Sequence, residues 1–88
     1  MALPVVYIAR GLESGLFKVG RSLRVETRIH SLAMAAEPME LMARIPGPLS
    51  MESEMHRLFA ASQAGTRGRE WFRDDGVIVA FLETLPAS

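Results

Sequence analysis

Two short runs near the N-terminus constrain this chain more than anything else in it. Pro4-Val5-Val6-Tyr7-Ile8-Ala9-Arg10 is rich in β-branched and aromatic residues and reads as a strand. Leu16-Phe17-Lys18-Val19-Gly20 alternates well enough to be its returning partner. Between them lies Gly11-Leu12-Glu13-Ser14-Gly15, with a glycine at each end to supply unusual backbone angles. The three pieces dictate a β-hairpin, and the rest of the chain must be arranged around it.

The remainder alternates helix and strand. Ser22 is placed to cap a helix that carries Val25, Ile29, Leu32, Ala33 and Ala36 at helical spacing, and Glu37-Pro38 ends it. Glu40 to Ile45 fits a third strand, stopped by Gly47-Pro48. A second helix is expected from Ser50 to Ser62, with Met51, Met55, Leu58, Phe59 and Ser62 along one side. Gln63 to Gly68 is polar and glycine-containing, hence a loop. Glu70-Trp71-Phe72 reads as a short extended piece, and Asp74 or Asp75 is placed to cap a last helix through Val77, Ile78, Phe81 and Leu82. The expected fold is α+β, a small antiparallel three-stranded sheet flanked by helices, in the order β-β-α-β-α-β-α.

Composition agrees with a single domain over residues 1–88. A chain of this length buries about 60% of its unfolded surface, enough for one modest core. With 49% hydrophobic residues and zero formal net charge, it lacks the signature of disorder. The absence of cysteine excludes a disulfide framework, a thiolate zinc site and a thiol nucleophile. No apolar run approaches the roughly 20 residues of a membrane helix, and Met1-Ala2-Leu3-Pro4 lacks the basic start of a signal peptide, so a cytoplasmic location is expected. The methionines at 34, 39, 42, 51 and 55 read as core fillers.

Several side chains break the local pattern. Arg28 lies on or beside the apolar stripe of the first helix, either as an arginine whose stem covers the core edge or as a guanidinium that grips a phosphate. Glu52, His56 and Phe59 fall on one line of the second helix. Glu52 is either a helix-start carboxylate or a ligand for a hard divalent cation. His56 is either a half-buried packing residue or a base or ligand, whereas His30 should face solvent. If the hairpin centres near residue 13, Tyr7 and Lys18 lie close to opposite one another, and an ammonium beside the phenol would ease its ionisation.

In this order and at these spacings, the residues resemble the GIY-YIG nuclease superfamily, over nearly the whole chain. Val6-Tyr7-Ile8 looks like the first motif and Lys18-Val19-Gly20 like the second. Arg28, eight residues after Gly20, stands where that superfamily carries its arginine, and Glu52 matches its metal-binding glutamate. Lys-Val-Gly-Arg-Ser, Glu-x-x-x-His-x-x-Phe and Glu-Trp-Phe are similar to a small phage and bacterial branch. The resemblance implies phosphodiester hydrolysis of DNA with one Mg²⁺ or Mn²⁺ held by Glu52. Tyr7 would help deprotonate the attacking water, and Arg28 would bind the scissile phosphate. Lys18 stands in place of the second tyrosine, and Leu32 replaces a histidine that many members carry. Arg21, Arg24, His56 and Glu70 are the expected substrate contacts.

The zero net charge excludes a nonspecific polycation but hides an uneven distribution. Residues 1–36 hold five cations (Arg10, Lys18, Arg21, Arg24, Arg28) against Glu13 and Glu26, and the later segments are net acidic. Four of those five cations fall between Lys18 and Arg28. Two classes of function follow: a metal-dependent endonuclease, or a catalytically silent module that uses the same fold to bind nucleic acid or a protein. A homodimer through the methionine-rich second helix or Trp71-Phe72 is a further expectation about partners.

Overall fold

A computed structural model describes residues 4–47, 50–65, 68 and 70–85. Strand β1 is Val5–Gly11 and strand β2 is Phe17–Ser22. Helix α1 (Val25–Ala35), strand β3 (Met39–Pro46) and helix α2 (Met51–Leu58) follow. A 3-10 turn (Ala60–Ser62), strand β4 (Trp71–Phe72) and helix α3 (Val77–Glu83) complete the order. The sheet is antiparallel and four-stranded, in the order β3-β1-β2-β4. The three-stranded expectation is therefore corrected. Trp71 and Phe72 pair with Lys18 and Phe17, so the last extended piece becomes an edge strand.

β1 is apolar from Val5 to Ala9 because both of its faces are covered there. Val6 and Ile8 join Phe17, Val19, Met55, Phe59, Phe72 and Ile78 in one core beneath α2 and α3. Tyr7 and Ala9 join Val25, Leu32 and Trp71 in another, beneath α1. Full burial of one such large apolar side chain contributes about 1.5–3 kcal/mol. The edge strand β3 serves both cores through a bulge. Ile8 faces Ala43 and Ala9 faces Leu41, which leaves Met42 as the extra residue. The bulge turns Met39 and Leu41 to the α1 side and Ala43 and Ile45 to the other.

The hairpin turn is held by a side chain that sequence patterning misses. Glu37 is 2% exposed, and its carboxylate accepts the backbone N–H groups of Glu13 and Ser14, each at 2.8 Å. It lies so close to Gly11 that a Cβ there would sit 2.5 Å from the carboxyl carbon. The segment taken only as a helix stop thus also braces the turn, and Leu12 N–H donates to the Pro38 carbonyl at 2.9 Å.

Other boundaries move for local reasons. Ser22 does not cap α1. Its hydroxyl accepts the Arg24 N–H at 3.0 Å, ahead of a helix whose N-cap is Arg24. The second helix does not run unbroken to Ser62. It ends at Leu58, and the following 3-10 turn delivers Ser62 to Asp75. The Asp75 carboxylate accepts the Ser62 hydroxyl at 2.9 Å and the Val77 N–H at 3.2 Å, so Asp75 braces the start of α3. Those bonds, the Ser62 hydroxyl foremost, hold the Asp75 carboxyl below its usual range. Asp74 instead pairs with Arg10 at 3.1 Å. Met34 and Met42 are exposed, contrary to their reading as core fillers, because α1 turns Met34 outward and the bulge ejects Met42. The proposed stop at Pro48 and part of the 63–68 loop lie outside the described residues. No helix among the described residues is long and apolar enough to cross a membrane.

Candidate functional site

Tyr7 is the centre of the candidate site. It is buried in β1 on the face that α1 covers, and its strand partner is Gly20. The phenol lies across β2 at that point. A Cβ on residue 20 would stand 2.5 Å from the Tyr7 hydroxyl oxygen and 2.7 Å from the ring carbon that bears it. Only glycine lets the ring lie there, which gives the last residue of Lys-Val-Gly its physical reason. The expected pairing of Tyr7 with Lys18 is corrected by two residues: Lys18 faces Ala9. Because both residues sit on alternate positions of the same face, Lys18 is the diagonal neighbour of Tyr7.

Arg28 approaches from α1. The helix begins at Val25, so Arg28 falls one turn in, on the exposed flank of the Val25–Ile29–Leu32 stripe. Its positive charge acts on the Tyr7 hydroxyl. Arg28 is exposed to solvent while its charge reaches the buried phenol. Burial pushes the Tyr7 hydroxyl above its ordinary value of 10.0, the negative charges of Glu70 and Glu52 push the same way, and Arg28 opposes them. The eased ionisation expected from a neighbouring ammonium is thus reversed. At neutral pH Tyr7 is therefore a neutral phenol.

Lys18 is sealed in, with a side chain 7% exposed, and it is ion-paired to Glu70, whose side chain is 43% exposed. The ammonium also lies 5.8 Å from the centre of the Trp71 ring. Glu70 is positioned through its backbone, because its carbonyl accepts the Val19 N–H at 3.0 Å. β4 is only two residues long, so it leaves the outer edge of β2 without a strand partner beyond that bond. There α2 lies against the strand. His56 Nε2 donates to the Val19 carbonyl at 3.0 Å, while the ring meets Phe72 edge-on at 5.6 Å. An acceptor-only carbonyl requires the proton on Nε2. Glu52, one turn earlier, is partly buried with its Oε2 3.9 Å from that nitrogen, and its charge reaches Tyr7.

Tyr7, Lys18, Arg28, Glu52 and Glu70 are therefore linked by contact or by electrostatic coupling around the uncovered end of β2. Arg21, near the end of β2, and Arg24, just before α1, are both exposed. His56 is placed to hold a strand carbonyl. His30 is exposed on α1, as expected. Among the described residues no group of three or more His, Asp or Glu side chains is placed to hold a metal ion. Glu52 offers one hard carboxylate oxygen donor with partial access to solvent, which fits a cation that keeps most of its waters.

A small antiparallel sheet with an exposed arginine whose charge acts on a buried tyrosine is consistent, as a class, with a nuclease-like or nucleic-acid-binding α+β module. The family is shown by its own model: the chain belongs to the T5orf172 domain family, matched over residues 5–85. That domain is associated in general with GIY-YIG-like and phage nuclease-type proteins. No curated protein and no solved structure gives a match.

Proposed function

We propose that this chain is a metal-dependent DNA phosphodiesterase of GIY-YIG type, acting in the cytoplasm as an endonuclease domain. The observation that carries the reading is the buried Tyr7 phenol packed over Gly20, with the charges of Arg28, Glu70 and Glu52 all acting on it. Arg28 is exposed toward solvent and presents the rest of its fork to a phosphate, where two parallel hydrogen bonds are favoured. Tyr7 orients the attacking water through its hydroxyl. Tyr7 first gives up its phenolic proton to solvent, Arg28 stabilises the phenolate so formed, and that phenolate takes the proton of the attacking water and returns to phenol. Lys18, held by Glu70, supplies a further positive charge where negative charge grows on the phosphate. Arg21 and Arg24 hold flanking phosphates, and His56 and Glu70 line the substrate side. Mg²⁺ or Mn²⁺ held by Glu52 would polarise the phosphate and stabilise the leaving oxygen.

The test is cleavage of plasmid and branched DNA with Mg²⁺ or Mn²⁺ by the wild type, Glu52→Ala and Arg28→Ala. Loss of general acid–base or charge stabilisation lowers rates about 10²–10⁴-fold, and both variants are expected to fall in that range. Equal cleavage by all three proteins would defeat the proposal. One observation favours a second reading: Lys18 stands where the superfamily has a tyrosine, and it is buried and neutralised by Glu70. A silent binding module predicts salt-dependent DNA binding with no metal requirement, and metal-dependent turnover rules it out.

A further inference from the structure

The stretch from Gly20 on β2 to Arg28 on α1 meets Tyr7 at both ends. Gly20 lies beneath the phenol ring, and the charge of Arg28 acts on its hydroxyl. The residues between them form the rim that joins β2 to α1. At the tip of that rim stands Leu23, 61% exposed, with exposed Arg21 two residues before it and exposed Arg24 immediately after. Solitary exposed leucines are ordinary on protein surfaces. Among the exposed large apolar side chains of the described residues, this one alone has two arginines within two positions. The tip is also fixed in shape, since the Ser22 hydroxyl accepts the Arg24 N–H at 3.0 Å and the helix starts one residue later.

We infer that Leu23 is a wedge that enters an unstacked base step while Arg21 and Arg24 hold the phosphates on either side of it. Apolar side chains flanked by cations are inserted between base steps in this way, and the penalty is smallest where stacking is already broken. The inference rests on the nucleic-acid reading given above and adds a substrate class: DNA carrying a bulge, mismatch or branch, in preference to continuous duplex. It also assigns the preference to one side chain outside the hydrolytic residues.

Two labelled duplexes test it, one continuous and one with a single-nucleotide bulge next to 2-aminopurine, whose fluorescence rises on unstacking. The wild type is expected to bind the bulged duplex about 5–10-fold more tightly, with a rise in fluorescence on binding, as unstacking-dependent contacts require. Leu23→Ala and Leu23→Ser should lose that preference and the fluorescence rise, with less than about a twofold change on continuous duplex. Both should keep the wild-type unfolding midpoint, since the side chain is exposed. Arg24→Ala should weaken binding to both duplexes alike and make the log–log salt slope shallower by about 0.9. A preference undiminished in both Leu23 variants overturns the wedge alone. Failure of the wild type to bind either duplex overturns the nucleic-acid reading and the wedge with it.

Discussion

Removing Glu70 while leaving Lys18 in place puts the sharpest strain on the account of the site. The Lys18 side chain is 7% exposed, so its ammonium depends on the Glu70 carboxylate for compensation. Truncating one member of a fully buried ion pair costs about 3–5 kcal/mol, whereas an exposed pair contributes about 1 kcal/mol or less. Glu70 is close to half open, so Glu70→Ala is expected between these limits, at about 2 kcal/mol. The face of Trp71, 5.8 Å from the ammonium, remains to the stranded lysine. That contact offsets about 0.5–1 kcal/mol and cannot replace the carboxylate. For a domain of this size, 2 kcal/mol lowers the thermal midpoint by roughly 8–16 °C.

Lys18→Met separates the pair from the packing. Methionine keeps an unbranched stem and discards the charge, so it should be neutral within about 1 kcal/mol or stabilising. In the Lys18→Met background, Glu70→Ala should then cost almost nothing. Urea unfolding of the four proteins at pH 7 closes the cycle, with an expected coupling of about 2 kcal/mol. Glu70→Ala within 0.5 kcal/mol of wild type, or costs that simply add, would refute the claim that Glu70 compensates Lys18.

Three more outcomes are expected. Gly20→Ala forces a methyl to within 2.5 Å of the Tyr7 hydroxyl, so it should cost about 1–3 kcal/mol and abolish cleavage; in a Tyr7→Ala background the stability cost should largely vanish. Tyr7 is the single tyrosine of the chain, so tyrosinate absorbance reports it alone, and its midpoint should lie above the ordinary 10.0 and rise further in Arg28→Met. The folded state then binds more protons than the unfolded state above about pH 10, so stability should fall as pH climbs from there through the folded midpoint; a Tyr7→Phe protein showing the same fall would dismiss the assignment. Glu37→Ala frees two N–H groups bonded to a charged acceptor, so it should cost about 2–4 kcal/mol and speed hydrogen exchange at Glu13 and Ser14, and unchanged exchange there would count against the brace.

What the sequence could reveal depended on whether the determinant was local. The hairpin, α1 and α3 follow from periodicity and glycine placement within a few residues of each other, and they lie close to where that reading put them. The register of Tyr7 did not, because moving the hairpin centre by a single residue exchanges Lys18 for Gly20 as its partner. Glu37 carried no signal at all. Its partners are backbone amides 23 and 24 residues away, and a glutamate before a proline is indistinguishable from a helix end until the chain is folded. The bulge at Met42 was hidden for the same reason, since the alternation of β3 stays regular while the core it faces changes.

The same distinction recasts the change at Lys18. Read locally, a lysine in a strand is either a solvent residue or an isolated cation, and Glu-Trp-Phe some fifty residues later is a separate short motif. In the folded sheet the two are one unit. β4 pairs with β2 at Lys18, the carboxylate of Glu70 meets the ammonium, and the indole of Trp71 lies near it. A phenol at that position would need no counter-ion. An ammonium does, because desolvating a lone charge costs several kcal/mol. Placing lysine at 18 therefore makes an acidic residue immediately before β4 a contributor to the stability of the fold. A glutamine at 70 would break the unit, whereas a charge-free pair at 18 and 70 would restore the fold without the cation.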